Sequence, residues 1–231
     1  MIAENIKNIE ENIEKCCFRL GRTRKSVRLI AVSKTFGADS VKQAVDAGIS
    51  DFGENYVQEL IEKRKTLLDL PIRWHFIGHL QSNKVKYIAE WISMIHSVDS
   101  EKLAQEINRQ AQKYNKTIDV LVEVNTSEEA TKFGVKPEKA VEFIKTISLL
   151  PSLSLKGLMT IGPFSNDKDE SRKSFSLLRS IFEEVNRLGI TREPLTELSM
   201  GMTHDYETAM EEGATIVRIG TAIFGRRVKK Q

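Results

Sequence analysis

Residues Leu29-Ile30-Ala31-Val32-Ser33-Lys34-Thr35-Phe36 run four apolar side chains straight into a lysine, and Gly37-Ala38-Asp39-Ser40 follows. The apolar part reads as a strand buried on both faces, and Asp39 and Ser40 can cap the first turn of a helix. Strand then helix opens a βα unit. In an open, doubly wound sheet the turn between them usually carries a glycine-rich phosphate loop. The stretch SKTFGADS (33–40) contains neither GxGxxG nor GxxxxGK(S/T). That weighs against the open sheet. It also leaves a question, because a lysine at the end of an apolar strand needs a partner or a task.

Outward from this unit the alternation repeats. Strand-like runs fall at Arg28–Thr35, Asp51–Asn55, Arg73–Gly78, Met94–Val98, Asp119–Asn125, Leu153–Ile161, Leu195–Met200 and Thr215–Phe224. Helical patterns lie between them at Asp39–Ala47, Tyr56–Leu68, Lys84–Trp91, Glu101–Tyr114, Pro137–Leu149, Asp167–Leu188 and Asp205–Glu211. Eight strands alternating with helices predict a closed parallel (β/α)8 TIM barrel, and 231 residues suit one. Residues 1–21 form a preceding amphipathic helix, with Ile2, Ile6, Ile9, Ile13, Cys16 or Cys17, and Leu20 on one stripe and Gly21 as its stop. The whole chain, 1–231, reads as one domain, and the N-terminal helix is expected to cover the side where a full eighth helix is missing. The longest irregular piece, Gly162–Lys168, is expected to be a loop of the active face rather than a linker.

Composition excludes several classes. Hydrophobic residues make up 40% of the chain and charged residues 29%, with a net charge of only +3. The basic clusters at 22–25 and 226–230 are short and read as solvated surface, so nucleic acid is not an expected partner. The two cysteines, Cys16 and Cys17, are adjacent and have no metal-ligand spacing. No apolar run approaches the ~20 residues that span a membrane, and the acidic N-terminus does not resemble a signal peptide. A cytoplasmic location is the expectation.

In a barrel of this kind chemistry sits at the C-terminal ends of the strands. Those ends hold Lys34; Glu54 and Asn55; His79 after Gly78; His96, Ser97 and Asp99; Glu123 and Asn125; Met159 and Thr160; Ser199-Met200-Gly201-Met202-Thr203; and Arg218, Gly220 and Thr221. Most have a plain structural reading. A lone strand-end Asn or Ser usually satisfies loop backbone. His75 is expected to be packed and hydrogen-bonded, His79 to be a rim residue, and His96 and His204 to matter less. Met159, Met200 and Met202 read as packing around a pocket. No GxSxG elbow and no metal-ligand pair is present.

Three features stand apart. Lys34 ends an apolar strand, where desolvation favours the neutral amine that forms Schiff bases. SMGMT (199–203) and RIGT (218–221) pair glycines with hydroxyls, as an anion cradle requires, in the loops where this barrel commonly binds phosphate. Arg218 interrupts the apolar strand IVRIG and needs an acceptor. Together they suggest pyridoxal 5′-phosphate (PLP). A Schiff-base aldolase acting on a phosphorylated sugar would need only the first two.

The runs IAVSKT (30–35), FGENYVQE (52–59), WHFIGHLQSNK (74–84), HSVDS (96–100), VEVNTSEEATKFGV (122–135), GLMTIGP (157–163), ELSMGMTHDYETAM (197–210) and VRIGTAIFGRR (217–227) resemble the YggS/PROSC family, the PLP homeostasis proteins. The resemblance spans nearly the whole chain. It implies an alanine-racemase-like barrel of PLP fold type III without the C-terminal β domain of the racemases. It implies that Lys34 holds PLP as a Schiff base, with Asn55 and Met159 beside the cofactor. Ser199, Gly201, Thr203, Gly220 and Thr221 would surround the phosphate, and Arg218 would face the pyridine nitrogen. Thr203 stands where this motif often has serine, and it keeps the hydroxyl. Members of the family are understood as PLP-binding regulators or carriers without established turnover. The implied partners are PLP itself and, as acceptors, apo-enzymes or amino acids; a monomer is expected. Arg218 fits that restraint, since a cation at the ring nitrogen weakens the ring as an electron sink. A low-activity fold-type III amino-acid racemase is the alternative. It needs a second proton-transfer group, and none of Tyr56, Tyr87, Tyr114 and Tyr206 is obviously placed for it.

Overall fold

The computed structural model describes residues 1–127, 133–163 and 167–226. Its strands are β1 (Arg28–Val32), β2 (Asp51–Glu54), β3 (Arg73–Phe76), β4 (Met94–Val98), β5 (Ile118–Glu123), β6 (Leu153–Met159), β7 (Glu197–Ser199) and β8 (Ile216–Ile219). All neighbours pair in parallel, and β1 pairs with both β2 and β8, so the sheet closes in sequence order. The helices are α1 (Ile2–Arg19), α2 (Ala38–Asp46), α3 (Val57–Thr66), α4 (Glu101–Lys113), α5 (Pro137–Ile147), α6 (Lys168–Leu188), α7 (Tyr206–Glu211) and α8 (Thr221–Phe224). Part of the Gly162–Lys168 loop and most of the C-terminal basic cluster lie outside the described residues.

The strand periodicity of two divides the core. Leu29, Ala31, Phe52, Trp74, Phe76, Ile95, Leu198, Val217 and Ile219 pack outward under the helices. Ile30, Met94, Leu121, Met159 and Ile216 pack inside the barrel. Arg218 follows Ile216 by two residues, and Ser199 follows the outward Leu198 by one, so both point inward with them. The same count puts Asp51, His75, His96 and Glu123 inside. The interior therefore has an apolar layer and a polar one.

Two expected elements differ. The run Thr215–Phe224 stops being a strand at Ile219, and Thr221–Phe224 turns into α8. Gly220 ends the ladder, and an apolar run continues through it in either geometry. The expected helix Lys84–Trp91 is a 3₁₀ segment over Ser82–Tyr87. Its buried residue Val85 and the buried residue that caps it, Ile88, are three apart, the spacing that a 3₁₀ helix aligns. α1 packs on α2, α7 and α8 beside the β8–β1 seam. Asn5 Nδ2 donates to Ile223 O at 2.9 Å, and Arg22 donates to Met210 O and Ala214 O at 3.1 and 2.7 Å. Among the described residues no helix is long and apolar enough to cross a membrane.

Candidate functional site

β1 ends two residues before Lys34. The Ser33 amide still bonds Gly53 O at 3.1 Å, and then Phe36 N bonds back to Ser33 O at 3.0 Å. This tight turn brings Lys34, half-buried, onto a cavity of about 290 Å³ at the C-terminal rim. Phe36 stacks on Phe224 with ring centroids 5.1 Å apart, which joins the first turn of the barrel to the last helix. Asn55, Thr203, His204, Arg218, Gly220 and Thr221 line the same cavity, with Ile77, Ile161 and Met202 as apolar walls.

Arg218 is the buried cation of the site. Nη1 donates to Ser199 Oγ at 2.6 Å and Nη2 to Thr160 O at 2.8 Å. Burial lowers its pKa to about 10, against the opposing charges of Asp205 and Glu123, so it remains a cation at neutral pH. Beneath it a chain of buried groups crosses the barrel. His96 Nδ1 lies 3.0 Å from Ser199 Oγ, His96 Nε2 lies 3.0 Å from His75 Nδ1, and His75 Nε2 lies 3.0 Å from Asp51 Oδ1. Burial lowers both histidine pKa values, that of His96 strongly. Burial alone would raise Asp51, but hydrogen bonds from His75 and Arg73 outweigh it and hold the carboxyl well below its usual range.

Two glycines shape the walls. A Cβ on Gly78 would stand 2.6 Å from Asn55 O and 2.7 Å from Asn55 Cα, so the segment after β3 must carry glycine here for Asn55 to reach its place. Gly201 has φ +89°, and a Cβ there would lie 2.5 Å from Ala209 Cβ. The loop after β7 thereby packs flat on α7. Met202 N is held by Asp205 Oδ1 at 2.6 Å, and Ala222 N donates to Thr203 Oγ1 at 3.4 Å. Thr203, Gly220 and Thr221 line the cavity together with Lys34, which the pairing of β8 with β1 brings beside them although it lies at the other end of the sequence.

The residues present fit PLP on an observation of their own. Asn55 lines the cavity, and its Oδ1 is buried with no hydrogen-bond partner, an unmet acceptor that a donor such as a ring hydroxyl would satisfy. An amine, a guanidinium, an orphan acceptor and a hydroxyl-lined loop pair then surround one space.

The sequence-predicted residues fall into three groups. Lys34, Asn55, Thr203, Arg218, Gly220 and Thr221 are brought together on the cavity. Met159 and Ser199 are fully buried and do not line it; Met159 packs in the inner layer and Ser199 holds Arg218. Gly201 backs the loop, its carbonyl accepting from Arg218 N at 3.0 Å. His79 is exposed and not among the lining residues. It stacks on Phe133 at a centroid distance of 3.8 Å and lies 3.4 Å from Asp99. His204, ranked below it from sequence, lines the cavity.

Residues 5–228 match the family described as alanine racemase, N-terminal domain. A pyridoxal phosphate homeostasis protein of Aquifex aeolicus is 44% identical over 224 residues, covering 97% of each chain. The chain belongs to the pyridoxal phosphate homeostasis protein family. Its relative in Pseudomonas aeruginosa, of the same description, is 44% identical over 226 residues, 98% of this chain and 96% of that one. The structure of PipY from Synechococcus elongatus with PLP bound superposes with a TM-score of 0.85 at 35% identity, covering 97% of this chain and all of that one. An alanine racemase of Clostridium difficile shares the fold alone, with a TM-score of 0.76 at 16% identity over 56% of its length. The fold is thus the alanine-racemase-like barrel, matched end to end by a family member of the same extent.

Proposed function

We propose that this chain binds PLP in the 290 Å³ cavity, engages it through Lys34, and holds and exchanges it in vitamin B6 and amino-acid homeostasis without classical turnover. The observation that carries the reading is Lys34, Arg218 and the orphan Asn55 Oδ1 on one cavity. When bound, PLP supplies an aldehyde that condenses reversibly with amines and a ring that can withdraw electrons. Lys34 is the amine within reach. Thr203, Thr221 and the amides at the start of α8 would hold the phosphate. Arg218, kept charged and pinned by Ser199 Oγ and Thr160 O, cannot act as an acid toward a ring nitrogen, which disfavours carbanion chemistry. None of the four tyrosines lines the cavity, so a racemase-type tyrosine base is not supplied by these residues. Apo-enzymes or free amino acids are the acceptors we infer, in the cytoplasm.

The test is an absorption spectrum of the purified protein with PLP, before and after borohydride, followed by peptide mapping. An imine band that reduction fixes onto Lys34 is expected, and Lys34→Ala is expected to fold and lose the adduct. A reducible adduct retained by Lys34→Ala would overturn the assignment. His204 on the cavity wall favours one rival, weak proton exchange at an amino-acid Cα. Sustained solvent-deuterium incorporation into free amino acids would establish that rival.

A further inference from the structure

α3 turns Val57, Leu60 and Lys63 to its buried face. Their spacing of three calls for another apolar residue at 63. The lysine there is only 5% exposed. Burying an ammonium is costly, and an apolar residue in such a place is often as stable or more so. All three of its protons are used: Nζ donates to Ser33 O at 2.7 Å, Glu54 Oε1 at 2.6 Å and Glu59 Oε1 at 2.7 Å.

This cluster bonds the backbone of the Lys34 turn on both sides. Before Lys34, the Ser33 carbonyl accepts from Lys63, and the Ser33 hydroxyl donates to Glu54 Oε1 at 2.6 Å. After it, the Thr35 amide donates to Glu59 Oε1 at 2.5 Å. Thr35 is held at φ +71°, a left-handed conformation that a β-branched residue adopts only under constraint. Released, residue 35 would relax and carry Lys34 with it.

We propose that Lys63, with Glu54 and Glu59, is a positioning cluster for Lys34: it clamps both flanking residues and keeps Thr35 in its strained turn, so that the Lys34 amine meets the PLP aldehyde in a reactive orientation. The proposal rests on PLP being the ligand. In the step it serves, Nζ adds to the aldehyde carbon, a C=N bond replaces the C=O bond, and water leaves. Such steps need reacting atoms held about 3–3.5 Å apart, and small misplacements are expensive in rate.

The test compares two probes. PLP reports imine formation, through the rise of its band and the borohydride-fixed adduct on Lys34. Pyridoxine 5′-phosphate has the same ring and phosphate but no aldehyde, so it reports the cavity alone. Lys63→Met is expected to slow imine formation about tenfold or more, with affinity for pyridoxine 5′-phosphate unchanged. Glu59→Ala is expected to do the same, and its partly exposed site keeps the test alive if Lys63→Met does not fold. Glu59→Gln, which still accepts from the Thr35 amide, is expected to restore most of the rate. Unaltered imine rates in the variants would overturn the proposal. So would a parallel loss of pyridoxine 5′-phosphate, which would make the cluster a scaffold element only. No adduct on Lys34 in the unaltered chain would overturn the PLP reading itself, and the positioning role with it.

Discussion

Arg218 and Asp51 stand at the two ends of one directed chain of hydrogen bonds through the barrel. Asp51 is ionised and can only accept, so His75 carries its proton on Nε2. A neutral His75 then accepts at Nδ1, which places the His96 proton on Nε2. His96 therefore accepts at Nδ1, from the Ser199 hydroxyl, whose oxygen accepts in turn from Arg218 Nη1. Every group has one role, and neither histidine needs a charge, which agrees with the lowering of both by burial. The cation under the cavity is thus oriented by an anion at the far end of the interior.

Ser199→Ala tests this chain. It leaves His96 Nδ1 and one guanidinium N–H of Arg218 without a partner in a buried place. The expected cost is ~1–3 kcal/mol of folding stability, read from urea unfolding. PLP affinity should fall less than the spectrum of the bound cofactor changes, because Arg218 moves while the loop hydroxyls stay. If Ser199 is chiefly a phosphate ligand, the pattern reverses: stability holds and affinity for inorganic phosphate drops.

Gly78 and Asn55 make a second pair. Gly78→Ala drives a methyl to 2.6 Å from Asn55 O, so the backbone at 55 must move. Overpacking of this kind costs ~1–3 kcal/mol, and PLP binding should weaken with it. Asn55→Ala separates the two effects. It removes a buried acceptor that has no partner, so the apo-protein should keep its stability or gain up to ~1 kcal/mol, yet bind PLP less tightly. Thermal unfolding and PLP titration of both variants check this. An Asn55→Ala protein that binds PLP as well as before would remove Asn55 from the site.

The barrel and its principal lysine and arginine were legible because their signals are local. Strand runs of period two, helices between them, a lysine ending LIAV and an arginine inside IVRIG each need only a few neighbours to be read. Lys63 was not legible. Within Glu62-Lys63-Arg64-Lys65 it looks like one of several solvated charges, and its burial depends on Glu54 across the β2–α3 corner. His96 was undervalued for the same reason. Its partners, His75 and Ser199, come from two other strands and depend on closure of the barrel. His79 is not among the residues lining the cavity, and a glycine before it and a strand end behind it do not specify direction; its ring stacks on Phe133. The end of β8 failed because Thr221–Phe224 is apolar enough for a strand or a helix, and Gly220 decides which.

Glu123 predicts a pH dependence. It lies inside the barrel, and burial first, then the nearby Asp99, raise its pKa from an ordinary 4.5 to about 7, against the pull of Arg218. Below pH 4.5 both folded and unfolded chains hold the proton, and the contribution to stability is present in full. Between 4.5 and 7 the unfolded chain releases it and the folded chain does not. Stability is lost over that interval at about 1.4 kcal/mol per pH unit, roughly 3 kcal/mol in all. Glu123→Gln cannot titrate. The variant should match the unaltered protein near pH 4.5 and exceed its stability by an amount that grows to pH 7 and then levels. His75 and His96 act in the opposite sense, since their lowered values make stability fall as pH drops below about 6.5. They are present in both proteins, so they cancel in the difference. Urea unfolding of the pair from pH 4.5 to 8.5 measures that difference directly. A flat difference curve would mean that Glu123 is already ionised when folded, its charge met by Arg218.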